Sequence, residues 1–353
     1  MIEDVLTAWD GALSSSRYDE ETGAFFTIAI HSRRLGPAGG GTRARHYRSH
    51  EDAVADATRL AGAMTLKMIS AGLPMGGGKS VIALPAPRHE IDDAVWRRIL
   101  EIHAENLSAL NGSYWTGPDV GTSSADMDVL HARSGFAFGR SESAGGPGSS
   151  APETAHGVYV AIKAAAREAG IIDLARRRIV LQGLGAVGMD VLQLALEDDA
   201  DVVATDVDPD RCRRARSLGA RVVDPLEVMG LESDIYAPCA MGGTIDAAVA
   251  RRIRTSVVAG AANNVLVDAE AGDELSRRGI VYAPDFIANG GGAIHLVGRE
   301  VLGWTADEVS RHVDGIATTL ADVFEHARSE QIGTDRAARD LAARRLSLAE
   351  AAR

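Results

Sequence analysis

The chain has 353 residues, a formal net charge of −12, 46% apolar residues and two cysteines. That length suffices for two domains with separate cores. The acidic balance, with arginines spread along helices, argues against nucleic-acid binding, and no apolar run reaches the length of a membrane span. Cys212 and Cys239 form no metal-ligand or disulfide framework, and the ten histidines include no HExxH-type cluster, so no metal site is expected. The start, MIEDVLTAWDG, lacks a basic segment followed by an apolar core, so the chain reads as cytoplasmic.

Residues 2–9 predict a short helix and 24–32, AFFTIAIHS, a strand. LGPAGGGTRARHY (35–47) reads as a turn, three glycines and a basic strand. Apolar residues at helical spacing predict a helix over 52–71. The run SVIALPAP that begins at Ser80 predicts a strand over 80–84. Between them stand Gly72, Pro74 and the run Gly76, Gly77, Gly78, read as a turn. Lys67 then lies near a helix C-terminus and Lys79 where the glycine turn enters the strand. GGGKS is not a phosphate-binding P-loop, because Leu73 stands where that pattern needs glycine and the order is helix, loop, strand. A glycine-walled lysine with a second cation nearby is instead suited to act as a base.

Residues 91–110 predict a helix, and NGSYWTGPDVGTS (111–123) a short strand ending at Gly117, Pro118 and Asp119. The Gly-, Ser- and Pro-rich stretch 141–153 marks a domain boundary, placing one domain over 1–147 and a second over 148–353. After a helix over 154–168, RRIVLQGLGAVGMDVLQLALE gives strand, turn and helix with G-x-G-x-x-G at Gly183, Gly185 and Gly188. In that setting the motif is a dinucleotide fingerprint. Asp206 ends the next strand, 18 residues after Gly188 (206 − 188), where it can accept hydrogen bonds from a ribose and repel a 2′-phosphate, favouring NAD over NADP. Strands over 233–240, 256–264 and 280–285 alternate with helices over 246–253 and 268–278. FIANGGGAIHL (286–296) starts another helix, and long helical patterns fill 305–329 and 333–353, the last of which could pack back on the first domain. Small residues gather at the strand ends, at Gly242, Gly243, Ala261 and Ala262. The alternation predicts an α/β protein, with a Rossmann-type second domain.

Seven segments in order resemble the glutamate, leucine, valine and phenylalanine dehydrogenases, most closely the actinobacterial phenylalanine enzymes. They are GPAGGGTR (36–43), KMISAGLPMGGGKS (67–80), TGPDVGT (116–122), QGLGAVG (182–188), PCAMGG (238–243), AGAANN (259–264) and APDFIANGGG (283–292). The resemblance implies an N-terminal substrate domain and a C-terminal NAD domain around a cleft. It also implies oxidative deamination of an L-amino acid to a 2-oxo acid and ammonia by a homo-oligomer. It makes Lys79 the base that activates water, Asp119 the carboxylate that manages the amino group's protons, and Lys67, with Gly41 and Asn263, the holder of the substrate carboxylate. Asn289 is placed near the substrate. NAD contacts are implied at Ala186, Val187, Thr154, Cys239, Ala240, Ala261 and Asn263, beside the fingerprint glycines and Asp206. The stretch 143–153 departs from the family's proline-serine-proline run. Side-chain selection is implied at Gly39, Gly117, Ala293 and Leu296. The first three are smaller than in the branched-chain enzymes, which suggests room for an aromatic substrate, phenylalanine before tyrosine, tryptophan or methionine. The alternatives are a leucine- or valine-specific enzyme and a non-catalytic dinucleotide-binding sensor, which would need neither lysine.

Overall fold

In the computed structural model the described residues are 1–351, with side chains through Leu348. The chain divides into two compact units. The first comprises Met1–Ser149, His295–Thr305 and the chain from Arg345, and the second Ser150–Ile294 and Ala306–Arg344.

The first unit contains α1 (Ile2–Thr7), β1 (Leu13–Tyr18), β2 (Phe25–Ile30), β3 (Ala38–His46), α2 (His50–Ser70), β4 (Gly76–Leu84), α3 (Asp93–Ala109), β5 (Tyr114–Pro118) and α4 (Ser124–Ser134). Its sheet has the order β1-β2-β4-β3-β5. β2 runs antiparallel to its two neighbours β1 and β4, whereas β4, β3 and β5 run parallel. Alternation along a strand gives each face its own residues. One face carries Ala38, Ala44, Ile82 and Tyr114 into an apolar core with Ile99, Ile102 and Leu107 of α3. The other is covered by α2, whose Ala53, Val54, Ala57 and Ala61 pack on Phe25, Ala29, Val81 and Ala83. α2 starts at Ser49, whose side chain accepts the Asp52 N–H, the N-cap arrangement favoured for serine.

The glycine run is not the turn that the sequence suggested: β4 begins at Gly76, and Lys79 lies inside the strand. The reason is packing. A Cβ at Gly77 would stand 2.1 Å from the Thr65 backbone N of α2, and one at Gly78 would stand 2.7 Å from the Tyr114 ring. Only glycine lets a helix and an aromatic ring close on both faces of one strand.

The second unit contains α5 (Ala151–Glu168), β6 (Arg178–Gln182), α6 (Ala186–Glu197), β7 (Asp201–Thr205), α7 (Pro209–Leu218), β8 (Arg221–Val222), β9 (Ile235–Pro238), α8 (Ala247–Arg252), β10 (Val257–Val258), α9 (Ala269–Arg277), β11 (Val281–Tyr282) and α10 (Asp285–Ala288). Then come α11 (Gly291–Glu300), α12 (Ala306–Asp314), α13 (Ile316–Glu330) and α14 (Thr334–Ala351); the division between units falls within α11 and within α14. Residues 352–353 of the predicted last helix lie outside the described residues. The sheet order β11-β10-β9-β6-β7-β8 is all parallel. Counted from β6 as the first strand, this is the order 3-2-1-4-5-6 of the doubly wound dinucleotide fold. Its core joins Val180, Val203, Tyr236 and Val258 to Leu275 and Tyr282. The strand predicted over 256–264 shrinks to Val257–Val258, since the following residues leave the sheet as a loop of small side chains. Among the described residues no helix is long and apolar enough to cross a membrane.

Candidate active site

Lys79, Gly41 and Asp119 come together on the α2-side face of the first sheet. The register pairs Thr42 with Ser80 and Gly41 with Gly117, which sets Gly41 level with Lys79 on one side and with the end of β5 on the other. A Cβ at Gly41 would stand 3.0 Å from Asp119 Cβ and 3.2 Å from Lys79 Nζ, so the glycine keeps the space between them open. Lys79 is only 6% exposed, and its Nζ lies 2.6 Å from Asp119 Oδ2. Arg43 Nε donates to the same oxygen over 3.1 Å, and Arg43 Nη1 reaches Asp56 Oδ2 at 2.9 Å. Asp56 also accepts from Tyr47 Oη at 2.7 Å and Arg59 Nη2 at 2.6 Å.

Electrostatics follows from this geometry. Burial lowers the Lys79 pKa below the ordinary lysine value, against the opposing pull of Asp119. For Asp119, burial alone would raise the pKa, but Lys79 and Arg43 outweigh it and hold the carboxyl down to about 2. Asp119 is therefore an anion throughout the neutral range. Behind the pair, Thr42, Ser80 and Thr116, each next in sequence to Gly41, Lys79 or Gly117, turn to the opposite face. Thr42 Oγ1 lies 2.7 Å from Ser80 Oγ, 2.7 Å from Thr116 Oγ1 and 3.1 Å from His103 Nε2. His103 is fully buried, and burial pushes its pKa down to about 3.

Lys67 occupies the last turn of α2. Gly39, Gly117 and Leu296 also belong to the first unit, but the space expected at the two glycines is taken by the chain itself. A Cβ at Gly39 would stand 2.8 Å from Met68 Cε and 3.1 Å from Met75 Cε, and one at Gly117 would stand 2.4 Å from the Phe138 ring. The missing methylenes are thus refilled by neighbours. Leu296 lies beside Gly139, next to Pro118.

The second unit holds the remaining candidates, Thr154, Gly183, Gly185, Ala186, Val187, Gly188, Asp206, Cys239, Ala240, Ala261, Asn263, Asn289 and Ala293. The three glycines of the turn serve three purposes. Gly183 has φ +101° and sits against Ala240; the Cβ position of Gly185 faces open space; a Cβ at Gly188 would stand 2.0 Å from the Gly183 carbonyl oxygen. Gly185 is the N-cap of α6, and no side chain caps the first turn, which leaves the helix N-terminus to a pyrophosphate. These residues fit a dinucleotide. Asp206 braces the turn: its Oδ2 accepts the Leu184 N–H at 2.6 Å and its Oδ1 the Asp208 N–H at 2.8 Å, tying the turn to β7. Each oxygen retains a further lone pair for a hydroxyl donor. Cys239 is fixed by its N–H donating to Gln182 O at 2.7 Å, and its thiol pKa is pushed up to about 11 by burial. Asn289 Nδ2 donates to Ala261 O at 3.1 Å and to Asn263 Oδ1 at 3.0 Å, so Asn289 shapes the loop that carries Ala261 and Asn263. Thr154 Oγ1 donates to Ser150 O at 2.7 Å, and a Cβ at Gly292, next to Ala293, would stand 2.6 Å from Thr154 Oγ1. Among the described residues, no three His, Cys, Asp or Glu side chains group as a metal site.

Sequence reasoning missed Arg43 and Asp56. The available signal was an arginine at an i, i+2 position from Gly41, on the same strand face, where a buried strand has no other reason to hold a charge.

The sheet order and the fingerprint turn define a dinucleotide-binding α/β protein, and the first unit adds a buried lysine–aspartate pair. Two family models match the chain: Glu/Leu/Phe/Val dehydrogenase, dimerisation domain, over residues 18–134, and Glutamate/Leucine/Phenylalanine/Valine dehydrogenase over 213–353. A leucine dehydrogenase of Bacillus cereus is 40% identical over 331 residues, covering 93% of this chain and 89% of the relative. A phenylalanine dehydrogenase of Caldalkalibacillus thermarum is 34% identical over 335 residues, with coverage of 93% and 89%. The crystal structure of L-tryptophan dehydrogenase from Nostoc punctiforme superposes with a TM-score of 0.83 at 32% identity, covering 99% of both chains. The chain belongs to the Glu/Leu/Phe/Val dehydrogenase family. It is an amino-acid dehydrogenase, an oxidoreductase whose family cofactor is NAD(H).

Proposed function

We propose that the chain catalyses the reversible oxidative deamination of an L-amino acid, L-phenylalanine by preference, to the 2-oxo acid and ammonia. The observation that carries this reading is Lys79, buried in a strand with Nζ 2.6 Å from Asp119 Oδ2. In it, Lys67 and the Gly41 backbone hold the substrate carboxylate, while Asn263, Asn289, Ala293 and Thr154 keep the roles the family resemblance implies. Bound NAD supplies the acceptor for the hydride that leaves the α-carbon. The substrate is then an iminium ion, to whose carbon water adds. Neutral Lys79 takes the proton of that water, a role for which its lowered pKa suits it. Asp119, an anion at rest, takes a proton from the substrate ammonium before the hydride leaves and returns it to the nitrogen of the water adduct. The carbon–nitrogen bond then breaks as the adduct's hydroxyl proton passes to Asp119, and ammonia leaves the 2-oxo acid. NAD is preferred to NADP, because Asp206 accepts from ribose hydroxyls and repels a phosphate. A homo-oligomer is part of the proposal, in keeping with the dimerisation domain named by the matching family description.

Support for an aromatic substrate no longer comes from empty space at Gly39 and Gly117. It comes from what replaces it: two methionine thioethers and a phenylalanine ring. Methionine ends yield readily, and sulfur–aromatic contacts add ~0.3–1.5 kcal/mol. The second reading is a leucine enzyme, favoured by the 40% identity to leucine dehydrogenase. NADH absorbance with phenylalanine, tryptophan, leucine and valine separates the two. A kcat/KM higher for leucine or valine than for phenylalanine would refute the aromatic assignment.

A further inference from the structure

We infer that Arg43 is a positioning residue for the proton chemistry, a fixed cation that orients Asp119 and, balanced by Asp56, sets the pH at which Lys79 becomes a usable base. The inference rests on the reading of Lys79 as base and adds a second control to it. Three observations on one sheet face carry it. Arg43 lies two residues after Gly41 on β3, so its side chain projects on the same face as the Lys79–Asp119 pair. Its Nε donates to Asp119 Oδ2, the oxygen that Lys79 also contacts, at 3.1 Å against 2.6 Å. Its Nη1 is held at 2.9 Å by Asp56, which is itself fixed by Tyr47 and Arg59. A guanidinium clamped between two carboxylates is a rigid object, unlike a lysine, and its charge does not titrate.

Charged groups from several elements stand around this cation. From β4 comes Lys79, from the end of β5 Asp119, and from α2 Asp56 and Arg59, with Lys67 in the same helix's last turn. Past β3, Tyr47 lies under the Arg45 guanidinium, 4.4 Å from its ring centre. On the opposite face of the sheet Thr42, Ser80, Thr116, Tyr114 and His103 form a neutral hydrogen-bonded cluster. The Arg43 charge disfavours a second cation on Lys79 and shares the Asp119 anion with it, so both effects lower the lysine's affinity for a proton. Asp56 acts with the opposite sign. Burial is the largest cause of the lysine's lowered affinity for a proton, Asp119 opposes it, and Arg43 adds to it.

The test is direct titration of Lys79 in the full-length protein, by the pH dependence of its acetylation with acetic anhydride, read by peptide mass spectrometry. The kcat/KM profile is recorded alongside. In Arg43→Gln both the acetylation midpoint and the acidic limb of kcat/KM should move up by roughly one pH unit. In Asp56→Asn both should move down. Arg43→Lys should restore most of the wild-type midpoint, because the charge is kept. A purely structural role cannot shift the midpoint in opposite directions in the two variants. Should Arg43→Gln fail to fold, the Asp56→Asn and Arg43→Lys pair still decides. An unmoved Lys79 midpoint in Asp56→Asn, or the same direction of shift in both variants, overturns the inference. Midpoints that move as expected while the kcat/KM limb stays fixed would leave the coupling standing and overturn the base assignment instead.

Discussion

The two units solve the problem of holding a reactive small molecule in opposite ways. In the second, glycine and alanine gather in the loops that follow the strands, and the working parts are backbone: an uncapped helix start, a turn with φ +101°, a loop shaped by one asparagine. In the first, the centre of the sheet is filled with side chains that carry charge or hydrogen bonds, from Asp56 through Arg43, Asp119 and Lys79 on one face to Thr42, Ser80 and His103 on the other. Backbone donors are neutral and available at any pH. Side-chain charges are not, so the first unit should be the pH-sensitive one. The second should be sensitive to added bulk.

The largest expected effect comes from removing the charge of the first unit. Lys79→Ala should lower kcat by ~10²–10⁴, the usual worth of a general base, with dinucleotide binding unchanged. Lys67→Ala should act mainly through the amino-acid KM, separating binding from proton transfer. Steady-state kinetics with fluorescence titration of NADH checks both, and wild-type kcat in Lys79→Ala would sink the assignment.

Acid should come next. His103 has a folded pKa of about 3 against an ordinary 6.5, so between these values the unfolded chain binds a proton the folded one refuses. Stability therefore falls as pH falls from 6.5 toward 3, by roughly 3 kcal/mol at pH 4.5. The four tryptophans, Trp9, Trp96, Trp115 and Trp304, all lie in the first unit, so intrinsic fluorescence reports on it. Urea melts at pH 7 and 4.5 should show the loss, and His103→Gln should flatten it; an equal slope in the variant would assign the acid sensitivity elsewhere.

For the second unit a single methyl group is the probe. Gly188→Ala puts a Cβ 2.0 Å from the Gly183 carbonyl oxygen. An overpacking cost of ~1–3 kcal/mol should weaken NADH binding by ~10–100-fold. The Lys79 acetylation midpoint should stay where it is. The smallest effect is expected at Asp206. Asp206→Ser should cost about tenfold in kcat/KM with NAD, for a lost charge-assisted hydrogen bond and a looser turn, and should narrow the preference over NADP. An unchanged NAD/NADP ratio would remove Asp206 from cofactor selection.

Most of the second unit could be read from sequence, because each of its tasks needs one residue type at one spacing: strand, Gly-x-Gly-x-x-Gly, helix, acid. The first unit was legible in its motifs but not in its assembly. β1 was missed because LSSSRY is an exposed edge strand with no apolar stripe. α4 was missed because the helix is short and buries only Met127 and Leu130. The glycine run read as a turn, since local preference is all a single sequence reveals there, and the demand for glycine came from Thr65 and Tyr114, residues distant in the chain. The same holds for the pocket. Gly39 and Gly117 looked like vacancies until Met68, Met75 and Phe138 were seen to fill them.

A strand that opens with three glycines has almost no preference of its own for extended structure. β4 is ordered by its partners, pairing Phe25 with Ala83 on one side and Thr42 with Ser80 on the other. β5 joins only through β3, where Gly41 meets Gly117. Lys79 and Asp119 thus meet only after chain segments tens of residues apart have closed into a sheet, and pairings so distant in sequence carry a loop-closure cost that slows folding. A partly folded first unit has the two residues but not the pair. The Lys79–Asp119 ion pair is in this sense a property of the finished sheet, complete only when β3, β4 and β5 are all in place.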